Sequence, residues 1–338
     1  MKKIRLLIVD DSIVFRTMLS KQLGAFMEID VIGTAGDAFE AQKKIEELKP
    51  DVITLDVEMP RVNGLDFLKQ FLPNYPIPTV VVTSTPTNAF EAISVGAVDF
   101  IKKPSQAETA EFIKELGKKV LIASNARVRR VSAASMKSAT PLAAIASGTS
   151  SNKIIAIGAS TGGTEALASV LENLPKSTPG IIVVQHMPAG FTKMYAERLN
   201  RVCNMEAREA VEGDRVQQGL ILVAAGEYHM RLHKDHRGYY ISSQRGDKVS
   251  GHCPSVDVMF DSVADIAKAN AIGVILTGMG ADGAKGLLKM KNAGPYTIGQ
   301  DKETCVVYGM PMVAFNIGAV KKQAPLQAIP GLIMEKLR

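Results

Sequence analysis

Short apolar runs alternate with amphipathic stretches of helical period along almost the whole chain, with one interruption. Before it the runs are "RLLIVDDS", "VIGTAGD", "DVITLDVEMP", "TVVVTS" and "DFIKKP", separated by helical patterns such as "FRTMLSKQL" and "EAQKKIEEL". Runs that are apolar at successive positions belong to strands covered on both faces, so these βα repeats predict a parallel, doubly wound, flavodoxin-like sheet. After the interruption come "KIIAIGAS", "GIIVVQHM", "LILVAAG" and "AIGVILTGMG", which predict a second doubly wound parallel sheet, Rossmann-like in type. "MRLHKDHRGYYISS" alternates polar and apolar residues and predicts an antiparallel hairpin addition. His229, His233 and His236 fall in that hairpin region, two of them on its solvent side.

The interrupting stretch, Ser124–Asn152, is rich in Ser, Ala and Thr and has no aromatic residue. It can bury little surface and reads as a flexible linker, its Arg127, Arg129 and Arg130 solvated. A chain of 338 residues is too long for one ordinary core. The expected organisation is therefore an α/β domain over 1–122, a linker over 123–152 and a second α/β domain over 153–338.

Charge and composition narrow the function. The net charge is +6, of which residues 153–338 contribute +4, from 21 Lys and Arg against 17 Asp and Glu. That is too weak a basic footprint to indicate nucleic acid, and no helix-turn-helix pattern follows the linker, so a DNA-binding output is not expected. No run reaches the roughly 18 apolar residues of a membrane span, and Asp10-Asp11 cut the N-terminal apolar stretch short of a signal peptide. Cys203, Cys253 and Cys305 are odd in number with no CxxC spacing, which suits free thiols in a cytoplasmic protein.

Ligands of open parallel sheets sit at the carboxyl ends of the strands. In the first block those ends carry Asp10-Asp11, Asp56, Thr83-Ser84 and Lys102-Lys103-Pro104. Three converging carboxylates repel unless a cation neutralises them, and an all-oxygen set suits Mg²⁺. A phosphoryl group on Asp56 would pair with Lys103 and accept a hydrogen bond from Thr83. Any one of these aspartates has helix capping as an alternative. Together, "VDDS", "LDVEMP", "VVTS" and "FIKKP" resemble the receiver domain of two-component response regulators, over about residues 1–122. The resemblance implies that Asp56 takes phosphate from a histidine kinase. It also implies that Phe100 follows a Thr83 switch, although a plain core position accounts for Phe100 equally well.

In the second block "IIAIGASTGGTEAL" is a buried strand that stops at small residues and a serine. Gly158-Ala-Ser-Thr-Gly162 satisfies G-x-S-x-G between strand and helix, the context that pushes a serine Oγ out of a sheet edge. A dinucleotide fingerprint cannot be aligned on these glycines, and a phosphate-binding loop lacks its lysine, which is Thr164 here. An incidental serine in a glycine-rich turn stays open. A nucleophile needs a base and the base an orienting acid. His186, at the end of "IIVVQH", is the histidine delivered to the same edge, whereas His252 lies in the loop "SGHCPSVD". "AIGVILTGMGADGAKGL" delivers Asp282, which could also cap a helix. Backbone N–H groups of Met279 and Thr161, with the Thr161 hydroxyl, could form an oxyanion hole. Acyl transfer from an ester or amide to water is the chemistry, and it needs no cofactor. The order Ser…His…Asp differs from that of α/β-hydrolases.

Across nearly all 338 residues, "IGASTGGTEAL", "VVQHMPAGFT", "HCPSVDVMF" and "ILTGMGADGAKGL" resemble the chemotaxis response regulator methylesterases. The resemblance implies hydrolysis of glutamyl methyl esters on the cytoplasmic helices of chemoreceptors, deamidation of particular receptor glutamines, and a triad on Ser160, His186 and Asp282. It also implies that an unphosphorylated receiver covers the Ser160 cleft until Asp56 is phosphorylated. Action on a paralogous signalling receptor, or a non-catalytic binding scaffold, remains the alternative. Cys253 stands where arginine is usual in the family, which bears on receptor preference and not on the triad, and Ala225 stands where proline is usual.

Overall fold

The computed structural model describes residues 2–60, 62–104, 108–127 and 153–337. Most of the expected linker, with Arg129 and Arg130, lies outside them. The chain divides into two compact units, Met1–Met136 and Lys137–Arg338.

The first unit runs β1 (Ile4–Val9), α1 (Ile13–Leu23), β2 (Ile29–Ala35), α2 (Ala38–Leu48), β3 (Val52–Asp56), α3 (Gly64–Phe71), β4 (Thr79–Thr83), α4 (Pro86–Val95), β5 (Asp99–Lys102) and α5 (Thr109–Ala123). All pairings are parallel, in the order β2-β1-β3-β4-β5. Helix starts are set by short polar caps: Ser12 accepts from Phe15 N–H, Asp37 from Glu40 N–H and Asn63 from Leu65 N–H. The chain starts at β1, builds β2 on one side and continues through β3 on the other. The crevice of such a sheet therefore opens between the ends of β1 and β3, where Asp10, Asp11 and Asp56 stand.

The second unit contains β6 (Ile154–Ala159), α6 (Gly163–Leu171), β7 (Ile181–Gln185), α7 (Phe191–Val202), β8 (Glu206–Glu209), β9 (Leu220–Val223), β10 (Tyr228–Asp235), β11 (Gly238–Arg245), α8 (Val256–Ile266), β12 (Ala271–Ile275), α9 (Ala284–Ala293), β13 (Tyr296–Gln300), α10 (Met310–Asn316), β14 (Lys322–Ala324) and α11 (Ile329–Leu337). Seven parallel strands follow the order β14-β13-β12-β6-β7-β9-β8, and β10 and β11 form a separate antiparallel pair. Side chains of β6 alternate between two layers. Ile154 and Ala156 join a core with Met259 and Phe260 of α8, Leu287 of α9, and Met230 and Leu232 of the hairpin. Ile155 and Ile157, also fully buried, point the opposite way, as the two-residue period of a strand requires. Both faces are apolar because both are covered.

Three strands went unread in the sequence: β8 ("EARE"), β13 ("YTIGQ") and β14 ("KQA"). Of the histidines in the hairpin region, His236 is exposed and His233 half-buried. His229 is buried under the segment that follows β11, where a Cβ added to Gly246 would lie 2.9 Å from its ring. Its Nδ1 accepts the Ser255 N–H at 3.3 Å, and its Nε2 lies 2.8 Å from the Asp247 carbonyl.

Candidate functional site

In the seven-stranded sheet the chain begins at β6, proceeds through β7 on one side and returns to β12 on the other. The crevice at the carboxyl ends therefore falls around β6, and Ser160 is the first residue beyond that strand. Its backbone stays in the ladder, with its N–H donating to Thr277 O at 3.0 Å. The last register pair of β6 and β7 is Ala159 opposite Gln185, so Ser160 and His186 occupy the next positions of two strands about 4.8 Å apart.

The turn after Ser160 is held tightly. Gly162 has φ +76°, and a Cβ there would lie 2.6 Å from Val306 Cβ, so glycine is required on both conformational and steric grounds. Gly278, from the β12 side, approaches so closely that an added Cβ would be 2.7 Å from Ser160 Cβ. Thr277, wholly buried, donates from Oγ1 to Thr161 O at 3.0 Å and accepts from Val307 N–H. The Gln185 amide donates to Ser160 O at 2.9 Å and to His186 O at 3.2 Å, linking the two loops.

His186 Nε2 lies 2.8 Å from Asp282 Oδ2. The carboxylate is almost wholly buried and takes three further hydrogen bonds: Ser255 Oγ at 2.7 Å and Asp257 N–H at 3.1 Å on Oδ1, and Val256 N–H at 2.8 Å on Oδ2. All of its lone-pair directions are thereby used. Burial pushes the Asp282 carboxyl up, but the His186 hydrogen bond and charge, with Ser255 and Val256, outweigh it and hold it at about 2. An ionised carboxylate surrounded by donors fixes the imidazole proton on Nε2. The other nitrogen, Nδ1, is buried and has no hydrogen-bond partner among the described residues. Capping and acid roles coexist in Asp282, and the helix it caps is α8, not the α9 that follows it.

The Met279 N–H, which has no acceptor among the described residues, lies in the loop between Gly278 and Gly280, and the Met279 side chain is exposed. Thr161 is buried one residue beyond the serine. The supporting set of Gln185, Ser255 and Thr277 was not singled out in the sequence. Ser255 alone left a signal there, as a serine opening an amphipathic helix. His252, passed over as a loop residue, stacks on His186 with ring centroids 3.6 Å apart and planes at 7°.

In the first unit, ligand oxygens of Asp10, Asp11 and Asp56 all lie within 4.8 Å of one another. Lys103 Nζ donates to Asp56 Oδ2 at 2.6 Å and lies 3.1 Å from Asp10 Oδ2 without the geometry of a hydrogen bond. Burial pushes the Asp10 carboxyl above its ordinary value despite Lys103, and the Asp56 charge adds to the rise. The Lys103 ammonium is held above its usual range because contacts to Asp56 and Asp10 outweigh its burial. Thr83 is fully buried at the end of β4, its Oγ1 accepting from Thr85 N–H at 3.2 Å. Phe100 is buried edge-on to Phe90, with centroids 5.8 Å apart.

The family model described as CheB methylesterase matches residues 155–333, more than half of the 338. The chain belongs to this methylesterase family. Ahead of the methylesterase region, the response regulator receiver domain model matches residues 6–114. This CheB-family chain is similar to the protein-glutamate methylesterase/protein-glutamine glutaminase 2 of Syntrophomonas wolfei, 49% identical over 332 residues, covering 97% of this chain and 96% of that one. The protein-glutamate methylesterase/protein-glutamine glutaminase of Sulfurimonas denitrificans is 48% identical over 338 residues, 96% of each chain. Among solved structures, the Thermotoga maritima CheB methylesterase catalytic domain is 42% identical, covering 54% of this chain and 97% of that one, with a TM-score of 0.53.

Proposed function

We propose that the chain is a phosphorylation-regulated chemotaxis methylesterase, a serine hydrolase that converts glutamyl methyl esters of chemoreceptors to glutamate and methanol and deamidates receptor glutamines. The observation that carries this reading is the His186 Nε2 to Asp282 Oδ2 contact of 2.8 Å, with Nδ1 buried and unpartnered among the described residues, on the residue that follows β7 beside Ser160 at the end of β6.

Ser160 Oγ attacks the γ-carbonyl carbon while His186 Nδ1 takes its proton. Asp282 holds the ring and stabilises the imidazolium that forms. The negative oxygen of the tetrahedral intermediate is met by the N–H groups of Met279 and Thr161. His186 then returns the proton to the leaving methoxide, or to the leaving amine of a glutamine, and water repeats the sequence on the acyl-enzyme. Ser160→Ala should abolish methanol release from methylated receptor-containing membranes, and a variant that still releases it at the native rate would refute the assignment.

In the receiver, Asp56 is the phosphoryl acceptor for a histidine kinase, Lys103 pairs with the added charge and Thr83 closes on it. The carboxylates fit a divalent cation: three oxygen donors converge, and Asp10 Oδ2 is buried with no hydrogen-bond partner among the described residues, 3.1 Å from the Lys103 ammonium. Asp10, Asp11 and Asp56 would hold Mg²⁺, which supplies positive charge to the phosphoryl oxygens. Phe100 reports the Thr83 switch from within the core. The working arrangement is a receiver over 1–122, a linker over 123–152 and a catalytic domain over 153–338, in the cytoplasm. No helix among the described residues is long and apolar enough to cross a membrane.

A further inference from the structure

We propose that His252 is a positioning residue that sets the plane of the catalytic imidazole, so that His186 Nδ1 stays aimed at the Ser160 hydroxyl. The inference rests on the triad reading above and adds a residue to it.

One hydrogen bond fixes the position of one atom and leaves a ring free to swing about it. The Nε2 contact to Asp282 anchors one corner of the His186 ring. No described residue hydrogen-bonds Nδ1, the corner that must meet the nucleophile. Rotation about the Cβ–Cγ bond is soft for histidine, because a terminal sp³–sp² torsion has broad wells. A face-to-face neighbour removes that rotation. His252 lies parallel to His186, with centroids 3.6 Å apart and an interplanar angle of 7°. A swing of the His186 ring would drive its edge into this neighbour. Parallel faces 3.6 Å apart also direct the in-plane nitrogen lone pairs past one another, so the contact between the two rings is a stack and not a hydrogen bond.

The chain segment that carries His252 explains why the stack is well placed. His252 exchanges both backbone hydrogen bonds with Val249, at 2.9 and 3.0 Å. Three residues later Ser255 donates to Asp282 Oδ1, and the Val256 and Asp257 N–H groups bond the same carboxylate. A single six-residue stretch, His252–Asp257, thus holds the acid by hydrogen bonds and the base by stacking. Base and acid are aligned to each other because both are aligned to that stretch.

The test uses the full chain, with methanol release measured across a range of methylated receptor membrane concentrations to separate kcat from KM. His252→Leu keeps volume and apolar contact but has no flat face. It should lower kcat about tenfold, equivalent to about 1.4 kcal/mol of barrier, at the upper end of what a stacked aromatic pair contributes. KM and the thermal midpoint should stay near native values. His252→Phe restores a flat ring without imidazole chemistry and should recover kcat to within about threefold. Equal rates for the Leu and Phe variants, whether both native or both slow, would overturn the proposal. So would a change in KM alone. A Ser160→Ala control that still releases methanol would instead overturn the triad itself, which keeps the two failures apart.

Discussion

Asp282→Asn tests the electrostatic frame of the catalytic site more sharply than removal of the side chain does. The native carboxylate only accepts: Oδ1 takes Ser255 Oγ–H and Asp257 N–H, and Oδ2 takes Val256 N–H and His186 Nε2–H. Asparagine has one accepting oxygen and one donating NH₂. With the NH₂ in the Oδ2 position it opposes the Val256 N–H and forces His186 to accept at Nε2. The proton then sits on Nδ1, and the imidazole cannot take one from Ser160. With the NH₂ in the Oδ1 position the ring keeps its tautomer, but the Asp257 N–H faces another donor. Either orientation leaves a buried donor unmatched, at about 1–3 kcal/mol.

The lost charge has a separate, pH-dependent signature. A carboxyl at about 2 in the folded chain against an ordinary 3.8 stabilises the fold by about 2 kcal/mol at neutral pH, taking about 1.4 kcal/mol per pH unit. A depressed acid contributes this fully above its unfolded value and loses it as pH falls towards its folded one. The stability gap between native protein and variant should therefore be about 3–5 kcal/mol at pH 7 and narrow between about pH 5 and pH 2. Urea unfolding of the full chain at several pH values, following the transition of the catalytic unit, measures it. Methanol release should fall by about 10⁴-fold, the scale of a triad locked in the wrong tautomer. A variant within tenfold of native activity, or a stability gap that does not change with pH, would refute the reasoning.

Gly278→Ala places a Cβ 2.4 Å from Met310 Sδ and 2.7 Å from Ser160 Cβ; kcat should drop about a hundredfold, since displacements near 1 Å cost that much, and methanol release reads it. Thr277→Val deletes the bond to Thr161 O and strands the Val307 N–H, so urea unfolding should register a loss of about 1–3 kcal/mol. Asp56→Asn should abolish labelling by a small phosphodonor together with any change in methanol release that the donor produces. Mg²⁺ at tenfold its Kd should stabilise the receiver by about 1.4 kcal/mol, visible as a raised thermal midpoint in native protein and absent from Asp10→Asn.

The candidate triad was legible because Ser160 and His186 each follow directly on an apolar strand run and Asp282 lies in the glycine-rich turn after another, so the strand-end rule assigns the three to a single edge without any side-chain detail. The strands that escaped notice fail the same criterion for a physical reason. β8 and β14 are the two outer strands of the seven, and edge strands carry charged or polar residues that discourage pairing with another sheet. "EARE" and "KQA" do so, and nothing in their pattern separates them from loop. Within β13 the fully buried residues include Thr297 and Gln300. Their polar groups are satisfied by Ala319 O and Thr277 N–H, partners that no local pattern reveals.

Ser255 marks the limit of sequence reading most clearly. Its place ahead of α8 announces an N-cap, and the cap forms, with Oγ accepting from Val258 N–H. A cap uses only the accepting side of a hydroxyl. The remaining O–H goes to Asp282 Oδ1, a residue 27 positions later. That spare hydrogen, with the helix's own unpaired N–H groups, is what lets a buried carboxylate stay ionised beside an imidazole. Legible motifs supplied the reacting groups, whereas the donors that set their protonation lie in the unspent hydrogen-bonding capacity of a residue already explained by its local role.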